Sequence, residues 1–201
     1  MIIGSDPIRF SQLESREAYK AFYDEQGAHY GNHHLTAECP RIRFLLDRVA
    51  SHDRALEMGC QTGGVTALLA DRVRYVHAVE ISDSYLTRAR EILCGRQNIV
   101  LIPGFAEDID TEPMHRSGYD VVVAMEILEH VADPLRICQV ACNCLAPTGV
   151  FIASAPQGYV DPLGEHVREF TWESLRDLLA SHFSDISIAD GGEWLLAEAR
   201  A

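Results

Sequence analysis

The sequence contains a single lysine, Lys20, against sixteen arginines. That ratio reads as the coding bias of a GC-rich, bacterial genome and carries no functional message. Apolar residues make up 47% of the 201 residues, yet no apolar run is long enough to cross a bilayer, so a helical membrane span is excluded. Met1 to Gln12 has no basic stretch leading into an apolar one. No export signal is therefore expected, and the cytoplasm is the expected compartment, with no membrane partner. None of the six cysteines forms a C-x-x-C pair, and a zinc site is not expected among them. Cys138 and Cys142 lie one helical turn apart in an apolar stretch and read as core packing, and free thiols are expected in a reducing compartment. There is no internal repeat and no low-complexity tract. Positive charge is also scarce. The formal net charge is −13, which repels phosphate backbones and argues against nucleic acid as the main partner. A small-molecule or carbohydrate acceptor fits better.

What remains is one domain's worth of alternating elements. Residues 1–40 differ from the rest in being rich in aromatic, histidine and acidic residues. They read as an N-terminal lid or arm containing a helix from Leu13 to Glu25. A helix from Pro40 to Ala50 follows, with proline in its first turn. Residues 41–201 then alternate short apolar runs with helical segments. Strands are expected at Ala55 to Met58, Tyr75 to Glu80, Ile99 to Ile102, Asp120 to Ala124 and Val150 to Ser154. Helices are expected at Gly64 to Asp71, from the cap Ser82 to Leu93, at Asp133 to Leu145, and at Trp172 to Ala180 behind the cap Thr171. Two last strands, Ile186 to Ala189 and Glu193 to Glu198, flank the hairpin signal Asp190-Gly191-Gly192. The alternation implies an α/β fold: a seven-stranded, mostly parallel sheet, helices on both faces, and a C-terminal antiparallel hairpin. In such sheets the ligand sits at the carboxyl ends of the strands, near the switch point.

The first strand runs into Glu57-Met58-Gly59-Cys60-Gln61-Thr62-Gly63-Gly64, a turn in which glycines let the backbone approach a ligand. The next strand ends in Glu80, placed to accept both hydroxyls of a ribose. A glycine-rich turn by itself also suits a nicotinamide dehydrogenase. The spacing of Gly59 and Gly63 behind a glutamate fits an amino-acid carboxylate and amine better than a pyrophosphate. The segment resembles motif I of the class I S-adenosylmethionine (SAM)-dependent methyltransferases, acidic-x-Gly-x-Gly-x-Gly. Glu57, Gly59 and Gly63 match, and Gln61 replaces the middle glycine. The resemblance implies a Rossmann-like fold and SAM as cofactor. It implies cofactor contacts at Tyr30, Glu57, Gly59, Gln61, Gly63, Glu80, Ile81, Ala106, Glu107 and Met125. Phe105 stands where the family commonly has an aspartate.

After the fourth strand comes Glu126-Ile127-Leu128-Glu129-His130. On one helical turn, Glu126, Glu129 and His130 would face the same way. Two carboxylates and an imidazole can hold Mg²⁺ or Mn²⁺, and His166 could complete the set from the loop after the fifth strand. The bland alternative is a run that only stabilises the loop. The Glu-x-x-Glu-His form resembles the metal motif of small-RNA 3′-end 2′-O-methyltransferases and of ubiquinone-pathway O-methyltransferases. A cation would lower the pKa of an acceptor hydroxyl and orient it.

His33, His34 and His130 are candidate general bases. Gln157, Tyr159 and Asp161 are placed for acceptor contact, and His115 falls near an exposed turn, Met114 to Gly118. The main expectation is metal-dependent O-methylation of a sugar, polysaccharide or other polyol. The alternatives are an RNA 3′-end 2′-O-methyltransferase, a quinone- or catechol-type O-methyltransferase, and a SAM-binding module without catalysis. Small members of this class commonly form homodimers, and by that analogy a homodimer is a candidate assembly.

Overall fold

The computed structural model describes residues 15–29, 36–51, 53–112, 115–116, 118–158 and 166–201. Five parallel strands form the body of a seven-stranded sheet: β1 (Arg54–Met58), β2 (Tyr75–Glu80), β3 (Ile99–Pro103), β4 (Tyr119–Met125) and β5 (Leu145–Pro156). β6 (Asp185–Asp190) and β7 (Trp194–Arg200) make the closing hairpin, and β7 inserts antiparallel beside β5. The order is β3-β2-β1-β4-β5-β7-β6. The chain winds outward from β1 to β3 and then crosses back to β4, so the switch point lies between β1 and β4.

The run Val121-Val122-Val123 shows why these segments are strands. Side chains alternate between faces, and helices cover both. Val122, with Leu56 and Phe151, packs under α5 (Pro134–Cys144) and α6 (Trp172–Ala180). Val121 and Val123, with Ala55 and Ile152, pack under α2 (Pro40–Leu46) and α3 (Gly64–Ala70). Beside α3 lies α4 (Asp83–Ile92), and α1 (Arg16–His29) lies against α4.

Three helix starts are set by side-chain caps, two of which, Ser82 and Thr171, the sequence marks. Ser82 Oγ accepts from the Tyr85 amide at 3.2 Å and Asp133 Oδ1 from the Arg136 amide at 3.2 Å. Thr171 and Ser174 form a reciprocal capping box.

Several boundaries differ from expectation. α1 is shifted toward the C-terminus of its expected span, and α2 stops at Leu46. β5 starts at Leu145, where Leu145 pairs with Tyr119 across a register shift. A 3₁₀ turn, Ala106–Thr111, was not anticipated. All six cysteines are free. Among the described residues no helix is long and apolar enough to cross a membrane.

Candidate active site

The turn after β1 is held from below by β2. The amides of Gly59 and Cys60 both donate to the Val79 carbonyl at 2.9 Å. Gly59 (φ 74), Gln61 (φ 49) and Gly63 (φ 84) are all left-handed. A Cβ on Gly59 would meet Ile127 Cδ1 at 2.9 Å, so glycine here lets the segment after β4 close against the turn. Gln61 takes the left-handed geometry without being glycine. Its amide is anchored by Glu80 Oε2 at 2.9 Å, which shows how a glutamine fits where the related motif has glycine. Glu80 Oε1 in turn accepts from the Ser82 amide at 2.9 Å. Glu57 is fully buried and accepts from Thr66 Oγ1 at 2.6 Å.

Ala106 and Glu107 open the 3₁₀ turn on the far side of β3. Arg136 of α5 fixes that turn, through Nε to the Glu107 carbonyl (3.0 Å) and Nη2 to Asp110 (2.6 Å). Burial raises the Glu107 carboxyl above its usual range. α1 bridges the two halves. Its Arg16 pairs with Asp108 at 2.6 Å and lies 3.8 Å over the Phe105 ring, while the Tyr23 carbonyl accepts from Ser82 Oγ at 3.1 Å. Ile81 is half-buried and Met125 buried at the strand ends beside the turn.

The acid–histidine segment is not helical as expected. Glu126 has φ 56, and residues 128–130 form a single turn. The left-handed residue rotates Glu126 away from its two sequence partners. Arg41 Nη1 and Trp194 Nε1 both donate to Glu126 Oε2 at 2.8 Å, and Ser154 Oγ donates to Oε1 at 3.0 Å. The group that does converge is Glu129, His130 and His166, each offering one ligand atom, all within 4.8 Å of one another. Val167 reaches back to the Glu129 carbonyl at 2.9 Å. Arg168 grips the carbonyls of Leu128, Val131 and Ala132, which seats His166 beside His130 at 4.8 Å between ring centroids. The Glu129 side chain is 1% exposed, and among the described residues no side chain donates a hydrogen bond to either oxygen. Burial first, then the Glu126 charge, raises its carboxyl well above the usual range.

A family model described as "Methyltransferase domain" matches residues 56–151. That span covers the turn, Glu80, the 3₁₀ turn and the acid–histidine segment. Over just under half of its length the chain is therefore similar to the methyltransferase-domain family, and its sheet has the fold of SAM-dependent methyltransferases. Ubiquinone biosynthesis O-methyltransferase of Marinobacter nauticus is 30% identical over 118 residues, 57% of this chain and 49% of that protein. The protein of that name from Hydrogenovibrio crunogenus is 28% identical over 157 residues, 77% of this chain and 62% of that one. The chain thus spans about half to two thirds of the length of these curated relatives. A SAM-dependent methyltransferase structure from Mesorhizobium loti shares the fold, with a TM-score of 0.66 at 15% identity, covering 82% of this chain and 99% of that one.

One expectation for the candidate site needs correction, and one residue beside an expected turn is itself buried. Glu126 is tied into an ion pair apart from the converging ligand atoms. His115, read as lying near an exposed turn, is 5% exposed, with Nδ1 2.5 Å from the Tyr119 hydroxyl. Tyr30, His33, His34, Tyr159 and Asp161 lie outside the described residues. Gln157 is exposed and bridges to Phe170. Arg41, Trp194 and Arg168 were missed. They come from three distant segments, and only a sheet order that puts β7 beside β5 reveals the first two. The Glu-His-Val-Arg spacing around His166 was the one available signal for Arg168.

Proposed function

We propose that this domain transfers the SAM methyl group to a hydroxyl of a quinone-type ring, with a divalent cation held by Glu129, His130 and His166. The observation that carries the metal reading is the Glu129 carboxylate. A carboxyl this deeply buried, with no side-chain donor, is held neutral by desolvation, and a cation beside it is what would stabilise its ionised form. Here two imidazoles stand beside it, and the three together make a mixed oxygen and nitrogen donor set. A bound divalent ion would lower the pKa of an acceptor hydroxyl and so supply a nucleophile at neutral pH.

The chain's own groups do the rest. Glu80 and the Gly59–Gly63 turn offer the acceptors and amides that suit ribose and the methionine moiety. Arg136 positions the 3₁₀ turn, and α1 excludes water above it. In the transfer, the sulfonium S–CH₃ bond breaks as the O–CH₃ bond forms, the sulfur keeps the bonding pair, and the hydroxyl proton leaves to a base. With His130 committed to the cation, His33 and His34 are the candidates for that base. The names of the two relatives support oxygen as acceptor and a quinone-type ring as its carrier. This displaces the polyol reading, which rested on the same need for a hydroxyl. The charge of −13 supports a small acceptor over RNA.

The test is calorimetry with S-adenosylhomocysteine, with and without Mn²⁺, on wild type and Glu129→Gln. Product binding in both proteins with the metal heat lost in the variant supports the reading. Equal metal binding in the two removes Glu129 as a ligand.

A further inference from the structure

We infer that Arg41 sets which cations the site accepts: by holding Glu126, it leaves one carboxylate and two imidazoles, a donor set that favours transition-metal ions over Mg²⁺. This rests on the metal reading above.

Arg41 sits in the first turn of α2, and its position is set by packing. Its neighbours Ile42, Leu45 and Leu46 are buried against the sheet, and Arg48 on the same segment binds Glu198 at 2.7 Å. The guanidinium carbon lies 4.8 Å from the centroid of the Trp194 ring, while Arg41 and the Trp194 indole both donate to one oxygen of Glu126. With Ser154 on the other oxygen, three donors satisfy this carboxylate away from the Glu129 group. The side chains of Arg41 and Glu126 are only 18% and 23% exposed, so water screens the pair weakly. Glu126 is nonetheless close enough for its charge to act on Glu129 and for His166 to act on it. A second hard oxygen donor is thus within the neighbourhood but is satisfied by Arg41. Mg²⁺ demands oxygen ligands in near-octahedral geometry, whereas imidazoles suit the later first-row ions.

The experiment measures Mg²⁺ and Co²⁺ affinities of wild type, Arg41→Met and Arg41→Met/Glu126→Gln by calorimetry, with S-adenosylhomocysteine binding as the fold control. Removing a positive charge strengthens binding of any cation, so the ratio of the two affinities decides. Arg41→Met should raise Mg²⁺ affinity at least tenfold more than Co²⁺ affinity, and the double variant should cancel the excess. Mg²⁺ binding to Arg41→Met should also change Trp194 emission, read in a Trp172→Phe background, because Glu126 leaves the indole N–H. An unchanged affinity ratio with metal still bound overturns the role of Arg41 alone. No divalent ion bound by the wild type overturns the metal reading, and this inference with it.

Discussion

Burial pushes the Glu57 carboxyl up to about 7, the charge on Glu80 adds to the rise, and the Thr66 hydroxyl opposes it. The usual value is 4.5, so between the two values the folded protein holds a proton that the unfolded chain has lost. The stabilising share of that proton is present in full below about 4.5 and is lost as pH climbs through about 7. Glu57→Gln mimics the protonated group and keeps an oxygen for Thr66. Without ligand, the variant should therefore gain on the order of 1–3 kcal/mol over wild type at pH 8 and close to nothing at about pH 4, as read from urea midpoints. An equal gain at both values would show that Glu57 is not the titrating group. The tight turn at Gly59 and Gly63, with Glu80 beside it, was legible because such a turn is local: backbone dihedrals and one following strand define it. Glu126 was legible as a residue but not as a contact. A left-handed φ on a glutamate has no sequence signature, and its partners Arg41 and Trp194 come from opposite ends of the chain. The burial of His115 was likewise hidden, because it depends on the hydroxyl of Tyr119 across a turn.

Among the elements, those with a polar cap and an apolar run were found almost to the residue. α4 behind Ser82, α5 behind Asp133 and α6 behind Thr171 are the examples. The misjudged elements depend on distant neighbours. The start of β5 at Leu145, expected as the last residue of a helix, is set by pairing with Tyr119. α1 has its place because its side chains serve another helix. Asp24 Oδ1 accepts from the Asp83 amide at 2.7 Å at the N-terminus of α4, and Lys20 bridges Asp24 and Asp83 at 2.9 and 2.8 Å. Asp24→Ala removes this external cap. The expected cost is about 1 kcal/mol of stability, together with faster hydrogen exchange across α1 and several-fold weaker S-adenosylhomocysteine binding. Exchange in α1 unchanged from wild type would mean that Asp24 does not dock it.

At the scale of the molecule, strand–helix alternation yielded the parallel sheet and the terminal hairpin, because both follow from burying two faces of one sheet. The insertion of β7 between β5 and β6 brings Trp194 to Glu126 and so builds one wall of the site. What the sequence left open is the acceptor, since loops and lids govern its choice and carry no transferable code. The names of two relatives are what favour the proposed quinone-type ring over a polyol. The most direct test of the account is transfer of labelled methyl from SAM to a catechol, a monophenol and a sugar, each with and without added Mn²⁺, using wild type and His166→Ala. The account predicts metal-dependent methylation of the catechol, with at least a tenfold loss in His166→Ala and little transfer to the monophenol or the sugar. Metal-independent transfer at full rate in His166→Ala, or transfer to the sugar alone, would contradict it.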